Sequence, residues 1–308
     1  MKFIKYTHHR LKDCDLSFDF NWGLVEGGFV CPIDDPFTLT TAAIEVNPAS
    51  VAAAAEILRQ CRAETNPSAD QSRPNQLLRL EQITPLPPTF NNPKIICIGK
   101  NYSDHAREMG GEPPTIPVVF SKFSSALTPH RSEIFLPPIS DQVDFEAELV
   151  VVIGKRGKNI TRQNAMQHVL GYSCGNDISA RDWQKEKPGG QWLLGKTFDT
   201  FAPLGPYLVT SDEVGDPHQL DIQLRLNGQT MQSANTNQLI FPIDYLISHL
   251  SQFTTLMPGD LLFTGTPSGV GAARKPPIFL TAGDVLEVQI QNVGTLHNTV
   301  ANQPLAPH

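Results

Sequence analysis

Val143 to Gly154 reads VDFEAELVVVIG, a run that carries two glutamates, one residue apart, into an otherwise apolar stretch. The stretch reads as a buried strand. Side chains on a strand alternate faces, so Glu146 and Glu148 point the same way, about 7 Å apart along the chain. Val150 and Val152 continue that face, which marks it as interior. Two carboxylates held together in low dielectric repel, and one stays protonated unless a cation sits between them. The strand therefore requires a further partner from elsewhere in the sequence.

Strands of this kind dominate the chain beyond about residue 86. KIICIG, EAELVVVIG, PLGPYLVT, DIQLRLNGQTMQ, GDLLFTG and GDVLEVQIQNVGTLHNTV carry apolar or alternating patterns. Asn227-Gly228 predicts a type I′ hairpin. Helices are few: one over Thr161 to Leu170, and one at PIDYLISHLSQFTTL, where Leu246, Ile247, Leu250 and Phe253 form an apolar stripe. Strands do not alternate with long helices, which argues against a doubly wound parallel sheet and for an α+β fold with a β-rich core. Residues 1–85 form a smaller N-terminal α/β unit. FNWGLVEGGFVCPI predicts two short strands around Glu26-Gly27-Gly28. Ser50 to Glu64 predicts a helix with Ser50 as N-cap, and NPSADQSRPNQ a loop. Pro85, Pro87, Pro88 and Pro93 punctuate a linker, so the boundary to the second unit, 86–308, falls near residue 86.

The chain has 308 residues, 40% hydrophobic and 18% charged, with a net charge of −7. That balance gives no reason to expect nucleic acid or an anionic membrane as partner. No stretch approaches the roughly 18 apolar residues of a membrane span, and MKFIKYTHHRLKD lacks the apolar core of a signal peptide. Five dispersed cysteines without a C-x-x-C pair suit reduced thiols rather than a disulfide framework or a zinc knuckle. The expectation is a cytoplasmic protein.

Asp177, in the small-residue turn of GYSCGNDISARDW, is the most economical third carboxylate. Three carboxylates suit a hard cation, Mg2+ or Mn2+; the competing reading is a wet strand face and an ordinary turn. In GKNYSDHAREMG, His105 and Glu108 stand at i and i+3 of a helix start. A carboxylate that orients a histidine is the pairing that moves protons, and the flanking glycines would let the segment act as a lid; the alternative is a surface pair. GQWLLGKT, Gly190 to Thr197, matches a P-loop letter for letter. Its bulky interior and the following FDTFAPLGP reject a phosphate cradle, which leaves Lys196 as a lone cation for a carboxylate or enolate. Arg181 is either an anion clamp or a partner of Asp182. GDLLFTGTPSGVG ends a strand in a turn whose amides and Thr266 would suit an oxyanion, unless the glycines serve only the turn.

GKNYSDHAREMG, VDFEAELVVVIGKRGKNI, GYSCGNDISARDWQ, LLGKTFDTFAPLGP and TGTPSGVG occur in one order and spacing, and over residues 94 to 300 or so the chain resembles the fumarylacetoacetate hydrolase family. The resemblance implies a mixed β-roll catalytic domain, usually a homodimer. It implies Mg2+ or Mn2+ on Glu146, Glu148 and Asp177, and a water-activating pair in His105 and Glu108. Lys196 joins these as a catalytic cation, with Arg181, Gln184 and Thr266 against substrate and Thr200 behind them. The expected activity is C–C bond hydrolysis of small 2-oxo carboxylates, such as acylpyruvates, through a metal-bound enolate. Decarboxylation or enol–keto tautomerisation of oxaloacetate on the same site is the alternative. A nucleotide-binding protein using GQWLLGKT and a catalytically idle scaffold are competing classes.

Overall fold

In the computed structural model, the run Ala147–Ile153 is a strand buried along its whole length. It pairs antiparallel with Val169–Asn176 on one side and with Leu261–Phe263 on the other. The structure describes residues 1–8, 21–33, 36–40, 42–63, 77–90, 92–187 and 190–304. The proposed loop at 66–76, His9 and Glu64 lie outside them.

Among the described residues, this strand sits inside a twelve-stranded mixed sheet. From one edge the order runs Leu78–Arg79, Phe29–Ile33, Asn21–Glu26, Lys2–His8, Ala202–Thr210, Val169–Asn176, Ala147–Ile153, Leu261–Phe263, Ile95–Gly99, Val118–Lys122. Leu261–Phe263 and Ile95–Gly99 run parallel, whereas most pairs are antiparallel. A second sheet orders Glu133–Leu136, Gly294–Asn302, Val285–Ile290, Asp221–Leu226 and Gln229–Asn235. The β-rich α+β expectation holds.

The period of two explains why Ala147–Ile153 shows no polar face. Leu149, Val151 and Ile153 enter one core with Leu224 and Val288 of the second sheet and with Leu246, Ile247 and Leu250 of the helix Ile243–Phe253. Val150 and Val152 enter another, with Phe3, Trp22, Ala54 and Leu58 from the N-terminal residues. A strand covered on both faces loses the polar alternation of a half-exposed one. The helix Pro48–Ala63 buries Val51, Ala54 and Leu58, an i, i+3, i+7 stripe. Lys2–His8 pairs antiparallel with Ala202–Thr210, so the N-terminal strands extend the same sheet.

Two expectations are corrected. Arg162–His168 is a 3-10 helix rather than an α-helix; its one buried residue, Ala165, supplies no apolar stripe to stabilise a longer one. Phe253, placed in the apolar stripe of the helix, is 73% exposed because it stands at the helix end, against the ring of His249. The Asn227-Gly228 turn has φ +51 and +78, as a type I′ hairpin requires. No described helix is long and apolar enough to cross a membrane.

Gly171 lets Val169–Asn176 approach Ala202–Thr210. A Cβ on it would lie 2.2 Å from the Val209 carbonyl oxygen, which is backbone and cannot turn aside. Gly171→Ala should therefore destabilise the protein by about 2 kcal/mol or more. A urea midpoint unchanged from wild type would contradict that packing.

Candidate active site

Glu146 precedes the strand that carries Glu148, and Asp177 follows the antiparallel neighbour of that strand. The two ends are tied: Asp177 N–H donates to Glu146 C=O at 2.8 Å, and Glu146 N–H to Asn176 Oδ1 at 2.9 Å. The sheet register therefore brings the carboxylates of Glu146, Glu148 and Asp177 together, with one oxygen of each within 4.8 Å of the others and all three buried. Asp144, two residues before Glu146, adds a fourth buried carboxylate.

Three buried cations face them. Lys196 Nζ lies 2.7 Å from Glu146 Oε2 and 2.8 Å from Asp177 Oδ2. Lys122 Nζ lies 2.6 Å from Asp177 Oδ1 and donates to the carbonyls of Ile178, Lys196 and Phe201. Arg181 pairs with Asp144 at 2.8 Å and Glu146 at 2.7 Å. Asp182 turns instead to Lys187 and Ser140. Arg181 is thus bound to the carboxylate cluster and not to Asp182.

Among the buried groups of the described residues, four carboxyls (Asp144, Glu146, Glu148, Asp177) against three cations (Lys122, Arg181, Lys196) leave one negative charge unmatched. The unmatched group is Glu148, whose Oε2 accepts the Gly265 N–H at 2.8 Å. Burial pushes its carboxyl well above the usual range, and Asp177 and Glu146 push it further. Burial would raise Glu146 as well, but Lys196 and Arg181 overcome it and hold that carboxyl below its usual range. An all-oxygen donor set with an uncompensated charge fits a divalent hard cation held by Glu146, Glu148 and Asp177.

Above the ordinary carboxyl value of 4.5, metal-free folded protein retains a Glu148 proton that the unfolded chain has released. Stability without metal is therefore fully expressed below that value and falls as pH rises through the elevated folded pKa. Melting temperatures measured in EDTA across that window should fall in wild type and stay flatter in Glu148→Gln. Parallel profiles would refute the assignment of the proton.

His105 and Glu108 sit on the helix Ser103–Glu108, with His105 Nδ1 2.8 Å from Glu108 Oε1. His105 is buried, and Glu108 Oε2 accepts the Gly269 N–H at 2.8 Å, so this is no surface pair. The glycine-rich loop serves the site's own carboxylates: Gly265 N–H binds Glu148, Gly269 N–H binds Glu108 and Gly271 N–H binds Asp144. These amides are not free for a ligand oxyanion. The Thr266 hydroxyl is: its oxygen accepts from Gln232 Nε2 at 2.8 Å, which leaves its proton to donate.

A cavity of about 260 Å³ opens onto this cluster. His105, Glu146, Glu148, Lys196, Arg181, Gln184 and Thr266 line it, together with Phe120 and Trp192. Every predicted site residue lines this cavity but three: Asp177, which joins Glu146 and Glu148 in the carboxylate cluster, Glu108, which pairs with His105, and Thr200. Glu108 acts behind His105. Thr200 stands apart from the cavity at φ +71, its hydroxyl accepting the Phe135 N–H at 2.9 Å. GQWLLGKT forms one helical turn, Leu193–Lys196, and the chain is extended again from Ala202, so the phosphate-loop reading fails on geometry.

Sequence reasoning missed Asp144, Lys122 and Gln232. Asp144 had a signal, because Asp144, Glu146 and Glu148 recur at intervals of two in the opening stretch. Lys122 had a weaker one, a lysine two residues from Phe120 on the inner face of Val118–Lys122. Gln232, which also accepts the Ala147 N–H at 2.9 Å, had none.

Comparisons with known proteins point to one family. A model of the fumarylacetoacetate (FAA) hydrolase C-terminal domain matches residues 94–301. A Bos taurus protein named oxaloacetate tautomerase FAHD2A, mitochondrial, is 53% identical over 224 residues, 73% of this chain and 71% of its own length. A fumarylpyruvate hydrolase from Pseudomonas aeruginosa, solved with Mn2+ and pyruvate, superposes with a TM-score of 0.64 at 35% identity, over 71% of this chain and 92% of that one. A 5-carboxymethyl-2-hydroxymuconate delta-isomerase from Mycobacterium smegmatis superposes at 0.74 and 30% identity, over 98% of this chain and all of that one (100%). The bovine relative, by its name, is mitochondrial, which overturns the cytoplasmic expectation. Cysteines dispersed along a sequence without a C-x-x-C pair do not single out one compartment.

Proposed function

The chain belongs to the fumarylacetoacetate hydrolase family, and on that premise we propose that it interconverts the enol and keto forms of oxaloacetate or a similar small 2-oxo acid. Mg2+ or Mn2+ on Glu146, Glu148 and Asp177 completes the site. When bound, such a cation polarises the 2-oxygen and the neighbouring carboxylate as a Lewis acid.

The observation that carries the reading is the buried His105–Glu108 pair on the cavity. Glu108 accepts the Nδ1 proton at 2.8 Å, which leaves Nε2 as the ring atom able to take or give a proton. Tautomerisation breaks one O–H bond at the enol oxygen and makes one C–H bond at C3. It consumes no water and releases no fragment, so a single proton carrier suffices. Lys196, with its charge already set against Glu146 and Asp177, balances the cluster electrostatically. Gln184 accepts from Arg181 Nη1 at 2.9 Å through Oε1, so its amide N–H groups can meet a substrate oxygen. Thr266 supplies a hydroxyl donor beside it.

C–C hydrolysis, the expectation drawn from the family at large, needs an ordered water and an acyl pocket in addition. The relative named a tautomerase is 53% identical, and the fumarylpyruvate hydrolase 35%, which favours the reaction without water. The test follows the ultraviolet band of enol oxaloacetate with Mg2+ and with EDTA, alongside a pyruvate assay and acetylpyruvate as second substrate. Metal-dependent decay of the enol without pyruvate is the expected result. Pyruvate from oxaloacetate would make the protein a decarboxylase, and cleavage of acetylpyruvate a hydrolase.

A further inference from the structure

Two lysines of the cavity stand outside the arrangement described so far. Lys100, at φ +56, occupies the corner between the strand Ile95–Gly99 and the helix Ser103–Glu108. Lys185 ends the short helix Arg181–Lys185, four residues after Arg181 and therefore on the same helical face. Both line the cavity with Arg181 and Gln184. Arg181 and Lys196 are committed to the buried carboxylates. Lys100 and Lys185 make no ion pair or side-chain hydrogen bond among the described residues.

Lys185 is exposed on the cavity; partial burial, Arg181 and Lys100 lower its affinity for its proton, against Asp144 and Glu146, which raise it. Gly111 leaves room for the arrangement, since a Cβ there would stand 3.1 Å from Lys100 Nζ. Like charges gathered at one cavity, in a chain of net charge −7, are relieved by an anion. One turn of helix, about 6 Å, separates the Arg181 end, at the carboxylate cluster, from Lys185 at the outer end.

We propose that Lys100 and Lys185 receive the remote carboxylate of the substrate, so that 2-oxo dicarboxylates are preferred over 2-oxo monocarboxylates. The inference rests on the 2-oxo acid reading above and deepens it. The acid end of the substrate faces Glu146, Glu148 and Asp177, and the second carboxylate faces the two ammonium groups.

The test uses L-malate and L-lactate, which differ by the remote carboxylate and do not undergo the reaction. Calorimetric titrations in Mg2+ should show wild type binding L-malate at least tenfold tighter than L-lactate. Lys100→Met and Lys185→Met should each weaken L-malate by about tenfold while L-lactate stays within about twofold. Lys185→Arg should restore most of the preference, and KM for enol oxaloacetate should rise in the methionine variants with little change in kcat. An undiminished malate-to-lactate ratio in the double variant overturns the proposal. Loss of the ratio in a protein that does not turn over oxaloacetate supports the proposal and removes the reaction assigned above. Turnover of oxaloacetate by wild type with the ratio unmoved by substitution does the reverse.

Discussion

Glu148→Gln should abolish divalent-cation binding and lower turnover by about three orders of magnitude or more, the largest effect expected of any single substitution here. The residue is chosen for its electrostatics. Glu146 and Asp177 are matched by Lys196, Arg181 and Lys122, whereas among the described residues Glu148 accepts the Gly265 N–H and pairs with no cation. It is therefore the carboxylate with most to gain from a cation and least to lose by neutralisation. Burial already favours its protonated form in metal-free protein, and glutamine reproduces the shape and lack of charge of that form. The variant should fold, and in EDTA near neutral pH its melting temperature should equal or exceed that of wild type. The contrast comes on adding Mg2+. At a hundred times Kd, a ligand that binds only the folded state stabilises it by about 2.7 kcal/mol, so wild type should melt higher while the variant stays where it was. Calorimetric binding of Mg2+ by Glu148→Gln at wild-type affinity would sink the metal assignment, whatever the activity showed.

The contrast between Glu148 and Asp144 shows what the chain makes legible. Alternation along a strand is a local property, so two glutamates in an apolar run announced both the strand and its charged end before any partner was known. The same arithmetic applied one step further back would have found Asp144. Charge compensation is not local. Lys122 meets Asp177 across 55 residues of sequence because Val118–Lys122 is the edge strand beyond Ile95–Gly99, and nothing in FSKF announces that register. The glycine loop was legible as a turn but not in its use. Its amides bind the site's own carboxylates, a fact that depends on Glu108, Glu148 and Asp144 all reaching one loop. Lys196 was legible for an indirect reason: once a phosphate loop was rejected, a lysine among apolar residues still needed a partner. The motif places Thr200 behind the substrate contacts, and its hydroxyl accepts the Phe135 backbone N–H.

His105→Ala should lower the rate of enol–keto conversion by about two to four orders of magnitude, the range for loss of a positioned acid–base group, and should leave Mg2+ affinity within about threefold. The separation follows from connectivity. His105 is joined to Glu108 and through it to Gly269, whereas the carboxylates that would hold the metal are joined to Lys196, Arg181 and Lys122. Removing the imidazole deletes the proton carrier and leaves the other network whole. Glu108→Gln should be milder, because an amide oxygen can still accept the Nδ1 proton, though without the charge that steadies a protonated ring. Decarboxylation of oxaloacetate needs an electron sink but no proton carrier at His105, so any such side activity should survive in His105→Ala. A single substitution that removes one reaction and spares the other is hard to mimic by misfolding, which would remove both. Wild-type tautomerisation in His105→Ala would move the proton to another cavity group, such as Lys196. The His105–Glu108 pair would then be a brace for the Gly269 loop rather than the carrier of the reaction.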